Sequence, residues 1–246
     1  MKQGVFKILR NVPLTNTVYA MTLQGDTSAI TAPGQFVNIQ LDGLYLRRPI
    51  SVCDLQDDRL TIVYKIVGKG TTKMAAMEQG SLDLLTGLGN GYDLTKAGEK
   101  PVLIGGGVGV PPMYLLCKKL LEQGKKVTVI LGFNTKKEIF YEDQFKALGA
   151  NVIVTTVDGS YGIHGFVTDA MKDLSYSYFY ACGPEPMLKA VYKAGKTSGQ
   201  FSFEKRMGCG FGACMGCSCK TITGYKRICK EGPVMQKEEI IWEDCV

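Results

Sequence analysis

Cysteines are concentrated near the C-terminal end of the chain, where the stretch 207–229 holds five of the nine. Cys209, Cys214 and Cys217 are separated by four and then two residues, and Cys229 follows after eleven more. This is the plant-type spacing of four thiolates around a two-iron, two-sulfur (2Fe–2S) cluster. The glycines between these cysteines let the backbone wrap closely around an inorganic core and point N–H groups at its sulfurs. We therefore predict a 2Fe–2S cluster with Cys209, Cys214, Cys217 and Cys229 as its metal ligands.

Other interpretations of these cysteines stay open at this point. A four-cysteine zinc site usually has two pairs with a two-residue spacing, and only Cys214 and Cys217 form such a pair here. Disulfides suit small secreted scaffolds, whereas this chain is longer and its cysteine count is odd. Cys219 lies close enough to Cys217 to replace one of the predicted ligands.

Length and composition indicate a folded protein with more than one domain. A chain of 246 residues with 45% hydrophobic and 21% charged residues is long enough for two domains and a small appendage. The formal net charge is +6, but lysines and arginines are spread along the chain and form no basic block interleaved with aromatic residues. We therefore expect no nucleic-acid partner.

The sequence also argues against export and against a membrane span. Its first residues contain no uninterrupted apolar segment of the kind that a secretory signal needs. The longest uncharged apolar stretch, 101–117, is interrupted by glycines and prolines and is shorter than the ~20 residues that cross a bilayer. We expect a cytoplasmic protein with no membrane partner.

The first hundred residues show the period-two alternation of β-strands. Alternating segments at 18–23, 35–41 and 59–67 predict an antiparallel β-barrel, with one short helix near 72–79. Two stretches could bind phosphate: 46–51, which has two arginines before a proline and ends in a serine, and 67–72, a glycine-rich turn. Arginine forms bidentate contacts with phosphate, and free N–H groups of a glycine-rich turn suit a diphosphate.

From about residue 101 the pattern changes to strands that alternate with helices. Buried strands are predicted at 101–104, 127–131, 151–157 and 176–181, and helices at 113–123, 141–148, 166–172 and 185–197. This order predicts an α/β domain with a parallel sheet that binds its ligand at the carboxyl ends of the strands. The complete prediction is a multidomain β plus α/β fold: an antiparallel barrel domain over 1–97, a parallel-sheet α/β domain over 98–200 and a small iron–sulfur domain over 201–246.

The motifs of the first two domains resemble those of the ferredoxin reductase superfamily. The resemblance rests on an arginine three residues before a serine, a Gly-Thr pair at a helix start, and a Cys-Gly-Pro at 182–184. It implies that Arg48 holds the diphosphate of FAD and that the Ser51 hydroxyl lies toward the reactive flavin nitrogen. The FAD-binding residues implied by the resemblance are Arg48, Pro49, Ile50, Ser51, Val63, Tyr64, Lys65, Gly70 and Thr71. Periodicity alone would instead place Tyr64 in the core and Lys65 in solvent.

The same resemblance implies a nicotinamide site in the second domain. The residues that it implies for NAD binding are Gly105, Gly106, Gly107, Gly109, Cys182 and Gly183, and Ser51 and Cys182 are the implied catalytic residues. The glycine turn lacks the third glycine of the Rossmann fingerprint. Lys136 and Lys137 could read the 2′-phosphate of NADPH, whereas Asp158 would repel it. His164, the only histidine, is expected to face solvent.

Together the three predicted cofactors would form an electron-transfer chain. NADH carries a hydride pair, a 2Fe–2S cluster carries single electrons, and flavin exchanges both, so the order is NAD, FAD and cluster. The combination, with the run 203–217, resembles the electron-transfer subunits of class B dihydroorotate dehydrogenases, although the gap before Cys229 is short for them. The resemblance implies an FMN-containing catalytic partner subunit, a heterotetramer with two copies of each subunit, and a role in pyrimidine biosynthesis.

Two alternatives to this function remain. One is the flavin and iron–sulfur subunit of an NADH-dependent ferredoxin:NADP⁺ oxidoreductase, a sulfide dehydrogenase or a cytoplasmic hydrogenase. The other is a zinc-stabilised nucleotide-binding regulatory module that transfers no electrons.

Overall fold

The computed structural model describes residues 1–242 and begins with a closed β-barrel. The barrel strands are β1 (Lys2–Pro13), β2 (Val18–Gln24), β3 (Phe36–Ile39), β4 (Arg48–Gln56), β5 (Arg59–Lys65) and β6 (Ser81–Leu88). All neighbours are antiparallel, in the order β1-β2-β5-β4-β3-β6. The alternation predicted for 59–67 is confirmed, because Leu60, Ile62 and Tyr64 are all buried in the barrel interior.

A short helix, α1 (Lys69–Ala75), connects β5 to β6. It begins three residues before the predicted start at Thr72. The reason is local: the Thr71 hydroxyl accepts hydrogen bonds from the backbone N–H groups of Val67 at 2.9 Å and Gly68 at 3.3 Å. These bonds close the turn before the helix, so that its first turn already includes Gly70.

The second domain is built on a seven-stranded sheet. Its elements in the chain are β7 (Val102–Gly106), α2 (Pro111–Glu122), β8 (Thr128–Phe133), α3 (Glu142–Ala147), β9 (Asn151–Thr156), β10 (Ile163–His164), α4 (Val167–Met171), β11 (Phe179–Cys182), α5 (Glu185–Ala194) and β12 (Gly199–Ser202). The strands β7 to β12 are all parallel to one another. The predicted parallel sheet is thus confirmed, and the order β10-β9-β8-β7-β11-β12 puts its topological switch point between β7 and β11.

The C-terminal segment adds β13 (Ser218–Thr221), β14 (Gly224–Arg227) and β15 (Val234–Gln236). β13 and β14 form a separate hairpin, whereas β15 pairs antiparallel with β12 and extends the sheet of the second domain. β12 crosses the predicted domain boundary between residues 200 and 201. The C-terminal segment is therefore joined to the nicotinamide domain by backbone hydrogen bonds as well as by side-chain packing.

Helix α2 connects the barrel to the second domain. It packs against β4, and its Leu115, 2% exposed, belongs to the apolar cluster of the barrel interior. At the same contact the ammonium of Lys118 lies 3.1 Å from the carboxylate of Asp54. A second apolar cluster joins the outer wall of the barrel, at Phe36 and Leu88, to the sheet and to the cysteine segment. The three parts are thus packed into one continuous body. None of the helices within residues 1–242 is long and apolar enough to span a bilayer.

Candidate functional site

The structure brings the two barrel motifs into contact. Arg48 begins β4 and Gly70 lies in the first turn of α1. A Cβ atom built on Gly70 would lie 2.2 Å from Nε of Arg48, so the arginine side chain crosses directly over this glycine. Because Gly70 has no side chain, the side chain of Arg48 can lie against the first turn of α1. The neighbouring Arg47 bonds instead to the backbone carbonyls of Asn38 and Asp83, at 3.2 Å each.

The remaining residues implied for FAD fall into two groups. Pro49, Ile50 and Ser51 are partly buried on β4, where they pair with β3. On β5 the side chains point in different directions. Val63 packs into the cluster shared with the nicotinamide domain and Lys65 is exposed.

Tyr64 and Thr71 are both engaged inside the protein. Tyr64 is 2% exposed in the barrel core and its hydroxyl donates to Oδ1 of Asn11 at 2.9 Å. The Tyr64 side chain therefore faces the barrel interior, as the alternation of the strand requires, and only its backbone faces outward. Thr71 is buried, and its hydroxyl holds the turn at Gly68.

The two nicotinamide motifs meet at the switch point of the sheet. Cys182, at the end of β11, is directly paired with Gly105 on β7. A Cβ atom on Gly109 would lie 2.2 Å from the carbonyl oxygen of Cys182, so the glycine turn and the Cys-Gly-Pro segment are in direct contact. The carboxyl ends of parallel strands at a switch point are where such sheets bind their ligands. The cleft thus has the glycine-lined floor that a dinucleotide diphosphate needs.

Two residues that the sequence did not single out surround the Cys182 thiol. Burial and, to a smaller extent, the charge of Glu204 raise its pKa and a hydrogen bond with Ser202 lowers it, which leaves the pKa at about 12. The thiol is therefore neutral near pH 7. Ser202 lies on β12 and Glu204 follows it in the chain, and neither carries a motif that would have identified it from sequence.

The flavin and nicotinamide motifs face each other across the domain junction. Strand β5 contacts the turn at 107–109, and the Tyr92 hydroxyl, from the end of the barrel segment, donates to the carbonyl of Ala181 at 3.3 Å. A ligand on the outer surface of β4 and β5 would therefore lie beside a ligand at the carboxyl end of β7. Hydride transfer requires that its two cofactors be adjacent, and these two surfaces are adjacent.

The four predicted cluster ligands are arranged as two pairs. The Cys214 thiol donates a hydrogen bond to the Cys209 sulfur, and the Cys229 thiol donates one to the Cys217 sulfur. Backbone N–H groups also point at the sulfurs: Cys209 Sγ accepts from Ala213 at 3.2 Å, and Cys217 Sγ accepts from Cys229 at 3.4 Å. Burial raises the pKa of Cys209, but these and other hydrogen bonds outweigh it and lower the pKa to about 6.

This arrangement fits a two-iron cluster better than a single metal ion. Two thiolates for each of two irons require two pairs, which is what the loop provides. Within residues 1–242, no three histidine, cysteine or acidic side chains are grouped as ligands of one ion. Cys219 is buried with its sulfur 4.0 Å from Sδ of Met235.

Other side chains hold the cysteine loop in place. Arg227 pairs with Glu231 and donates from Nη1 to the carbonyl of Gly212 at 2.6 Å. Asn38 of β3 donates from Nδ2 to the carbonyl of Cys209 at 3.2 Å. The loop is therefore attached both to its own hairpin and to the barrel. His164, as expected, is exposed.

Comparison with known proteins agrees with this arrangement. Residues 103–193 match the oxidoreductase NAD-binding domain, and residues 204–241 match the iron–sulfur cluster binding domain of dihydroorotate dehydrogenase B. The structure of an NADH-dependent reduced ferredoxin–NADP oxidoreductase superposes with a TM-score of 0.88 at 30% identity, over 98% of this chain and 91% of that one. A ferredoxin NADP⁺ reductase from Neisseria gonorrhoeae, with bound FAD and NADP, shares the fold at 19% identity and a TM-score of 0.69, over 79% of this chain and 90% of that one. Fold and site therefore define an oxidoreductase of the ferredoxin reductase type with an added iron–sulfur domain.

Sequence relatives narrow this class to one family. The dihydroorotate dehydrogenase B (NAD(+)) electron transfer subunit of Shouchella clausii is 41% identical, over 98% of both chains. The subunit of the same name from Fusobacterium nucleatum is 44% identical, over 94% of this chain and 95% of its own. The chain belongs to the family of dihydroorotate dehydrogenase B electron transfer subunits. The predicted family, fold class and cofactor set of FAD, NAD and a 2Fe–2S cluster are confirmed.

Proposed function

We propose that this chain relays electrons from a dihydroorotate-oxidising partner subunit through a 2Fe–2S cluster and FAD to NAD⁺. The observation that carries this proposal is which of the three sites contact one another. The cysteine loop is bonded to β3, β3 is paired with the β4 segment that begins with Arg48, and β5 contacts the nicotinamide turn. Bound FAD supplies the exchange between single electrons and a hydride pair. The flavin has to be within reach of both other sites for this exchange, and the barrel contacts both the cysteine loop and the nicotinamide turn.

The residues of the chain then have distinct roles. Arg48 and the turn at Gly70 and Thr71 hold the FAD diphosphate, and Pro49, Ile50 and Ser51 line the flavin together with the backbone from Val63 to Lys65. Gly105, Gly106, Gly107 and Gly109 take the NAD diphosphate, and Cys182 and Gly183 border the nicotinamide. The neutral Cys182 thiol adds no charge beside the hydride path, and the four paired cysteines hold the cluster.

The names of the relatives support a proposal for the partner. Relatives are named as electron transfer subunits of dihydroorotate dehydrogenase B, which supports an FMN-containing catalytic partner in pyrimidine biosynthesis. We propose a cytoplasmic heterotetramer with two copies of each subunit. Within the chain we propose an FAD domain over 1–97, an NAD domain over 98–200 and a cluster domain over 201–246.

The surface charges beside the nicotinamide domain support NADH rather than NADPH as the reduced dinucleotide. Asp158 follows β9, and its carboxylate accepts from the backbone N–H of Ser160 at 3.0 Å and from its hydroxyl at 2.6 Å. These bonds lower the pKa of Asp158 and keep the carboxylate charged. The ammonium of Lys136 lies 5.5 Å from the centre of the Tyr161 ring and is thus held by a cation–π contact. A 2′-phosphate here would meet a fixed negative charge.

An anaerobic absorbance experiment tests the relay. The chain is purified together with its catalytic partner, dihydroorotate is added, and the flavin and iron–sulfur absorbance is followed before and after NAD⁺. We expect bleaching with dihydroorotate and recovery with NAD⁺. Bleaching by NADH but not by dihydroorotate would show that electrons pass between NADH, FAD and the cluster. It would also show that the partner oxidises a substrate other than dihydroorotate.

A second function is supported by the structural comparison. The NADH-dependent reduced ferredoxin–NADP oxidoreductase is 30% identical and superposes over nearly the whole chain. Under this alternative the partner would exchange electrons with ferredoxin and NADP. Reduction of the purified complex by ferredoxin and not by dihydroorotate would establish it.

A further inference from the structure

A buried asparagine lies between the cysteine loop and the flavin motif. All four residues of β3 are buried, and they alternate between the two sides of the barrel wall. Val37 and Ile39 fill the interior, while Phe36 joins the cluster that contains Cys217 and Cys229. Asn38, 1% exposed, is on the same side of the strand as Phe36. A polar side chain is therefore buried where the C-terminal domain covers the barrel.

The amide of Asn38 is fitted to the first turn of the cysteine loop. Its Nδ2 donates to the carbonyl of Cys209 at 3.2 Å, across 171 residues of sequence. A Cβ atom on the next residue, Gly210, would lie only 2.3 Å from the same nitrogen, and Gly210 has a φ of +78°. Both facts require glycine at 210, because a side chain would be strained and would displace the amide. The loop is thus shaped around this one group.

The backbone of Asn38 is held by the strand that carries the flavin motif. Asn38 is paired with Pro49, and its neighbour Ile39 is paired with Arg48. In addition, Nη1 of Arg47 donates to the Asn38 carbonyl at 3.2 Å. One residue therefore connects the Cys209 end of the loop with the beginning of β4 through hydrogen bonds alone.

The other end of the same amide has no partner among residues 1–242. Oδ1 of Asn38 is buried and accepts no hydrogen bond. Leaving a buried acceptor unpaired is unfavourable, and an apolar side chain of similar size would avoid the cost. The stability of the barrel therefore gives no reason for an asparagine at this position. The hydrogen bond from its amide to the Cys209 carbonyl does give a reason for an asparagine here.

We propose that Asn38 is a positioning residue for electron transfer between the 2Fe–2S cluster and FAD. It fixes the Cys209 side of the cluster loop against the strand that begins with Arg48 and so sets the distance between the two electron carriers. The step that it serves moves one electron: the cluster is oxidised, the flavin is reduced, and no bond forms or breaks. This inference rests on the proposed function, because it assumes that both cofactors are bound.

Two variants separate the hydrogen bond from the space that the side chain fills. Asn38→Asp keeps the size but replaces the donor with an acceptor that faces the Cys209 carbonyl, and Asn38→Leu keeps the size without any polar group. Asn11→Asp is the matched control, since Asn11 also donates to backbone carbonyls, of Met74 at 2.8 Å and Met77 at 3.0 Å, but lies away from the cysteine loop.

The assay follows two successive reductions in one stopped-flow experiment. Each protein is first matched for FAD, iron and acid-labile sulfide and for melting temperature. NADH is then mixed in anaerobically, and flavin bleaching is followed by the appearance of the reduced cluster, measured by absorbance and by electron paramagnetic resonance of frozen samples. We expect flavin bleaching at the wild-type rate in all variants, and slower cluster reduction in both Asn38 variants only, because the rate of electron transfer falls as the distance between the two carriers increases.

Each outcome decides the question. Wild-type rates of cluster reduction in fully loaded Asn38 variants would overturn the proposal, as would an equal slowing in Asn11→Asp. Loss of the cluster from both Asn38 variants would overturn it too, because Asn38 would then be needed to retain the cluster. If the wild-type cluster is not reduced by NADH at all, the relay itself is refuted, which is a different result from normal reduction in every variant.

Discussion

The contact between Arg48 and Gly70 gives a sharp test of the FAD site. Substitution of Gly70 by alanine puts a Cβ atom 2.2 Å from Nε and 3.0 Å from Cζ of Arg48. The backbone of Gly70 tolerates alanine, since its φ is not in the left-handed region. The flexible arginine has to move instead. We therefore expect Gly70→Ala to displace the guanidinium from the turn with little loss of protein stability.

The expected size of the effect is that of a lost contact to phosphate. A hydrogen bond to a charged group contributes about 1.5 to 3 kcal/mol, which corresponds to a rise of roughly 10- to 150-fold in the Kd for FAD. Arg48→Ala sets the upper limit. When Arg48 has already been removed, Gly70→Ala should add little, because the clash has gone. The coupling between the two substitutions is then nearly as large as either effect alone.

The assay is titration of the apoprotein with FAD, followed by the quenching of flavin fluorescence. Gly68→Ala is the matched control, since it adds the same methyl group two residues earlier, where no atom lies within 4 Å of the new Cβ. We expect Gly68→Ala to bind FAD like the wild type. Equal weakening by Gly68→Ala and Gly70→Ala would refute the reasoning, as would full additivity with Arg48→Ala. Normal FAD binding by Arg48→Ala would remove Arg48 from the site.

Three further predictions concern the other parts of the chain. Cys214→Ser should remove the cluster, because it takes one thiolate from the Cys209 pair, and normal iron and acid-labile sulfide in this variant would refute the ligand set. Asp158→Asn should raise the ratio of kcat/KM for NADPH over NADH at least about fivefold, since two unit charges ~4 Å apart interact by ~1 kcal/mol in bulk water and by more near a protein surface. The exposed Asp143, changed to asparagine, is its control, and an equal change in both variants would point to net charge alone. Leu115→Ala should lower the free energy of unfolding by about 2 to 5 kcal/mol, because this side chain of α2 is buried in the barrel cluster. Denaturant titration measures this free energy, and a decrease well below ~1 kcal/mol would show that the Leu115 side chain of α2 is not packed in the barrel cluster.

Much of the fold was predictable because its signals are local. The alternation at 59–67 and the strand–helix sequence after residue 101 each depend on neighbours within one element, and both predicted the correct type of structure. The exact ends of helices and strands did not follow from periodicity. Helix α1 begins three residues before the predicted start, because the side chain of Thr71 closes the preceding turn, and periodicity does not report such a bond.

For Tyr64, the family resemblance and the alternation of β5 predicted different positions for the side chain. Family resemblance implied a residue that lines the flavin, whereas the alternation of β5 placed its side chain in the core. The structure places this side chain inside the barrel, with its hydroxyl on Asn11. Both can hold only if the contact to the flavin comes from the backbone, because successive side chains of a strand point to opposite faces.

The sequence by itself determined the chemistry of this protein. The spacing of four cysteines predicted a 2Fe–2S cluster, because ligand spacing depends on residues close together in the chain, and the resemblance of the motifs at 48–51, 70–71 and 105–109 to those of the ferredoxin reductase superfamily implied a flavin and a dinucleotide. Tertiary structure decided which of these groups meet. The pairing of β7 with β11 brings Gly105 to Cys182, the antiparallel β15 joins the cluster segment to the nicotinamide sheet, and Asn38 reaches Cys209 across 171 residues. Such contacts follow from the global packing of strands, which no local pattern encodes, and they turn three separate binding motifs into one route for electrons.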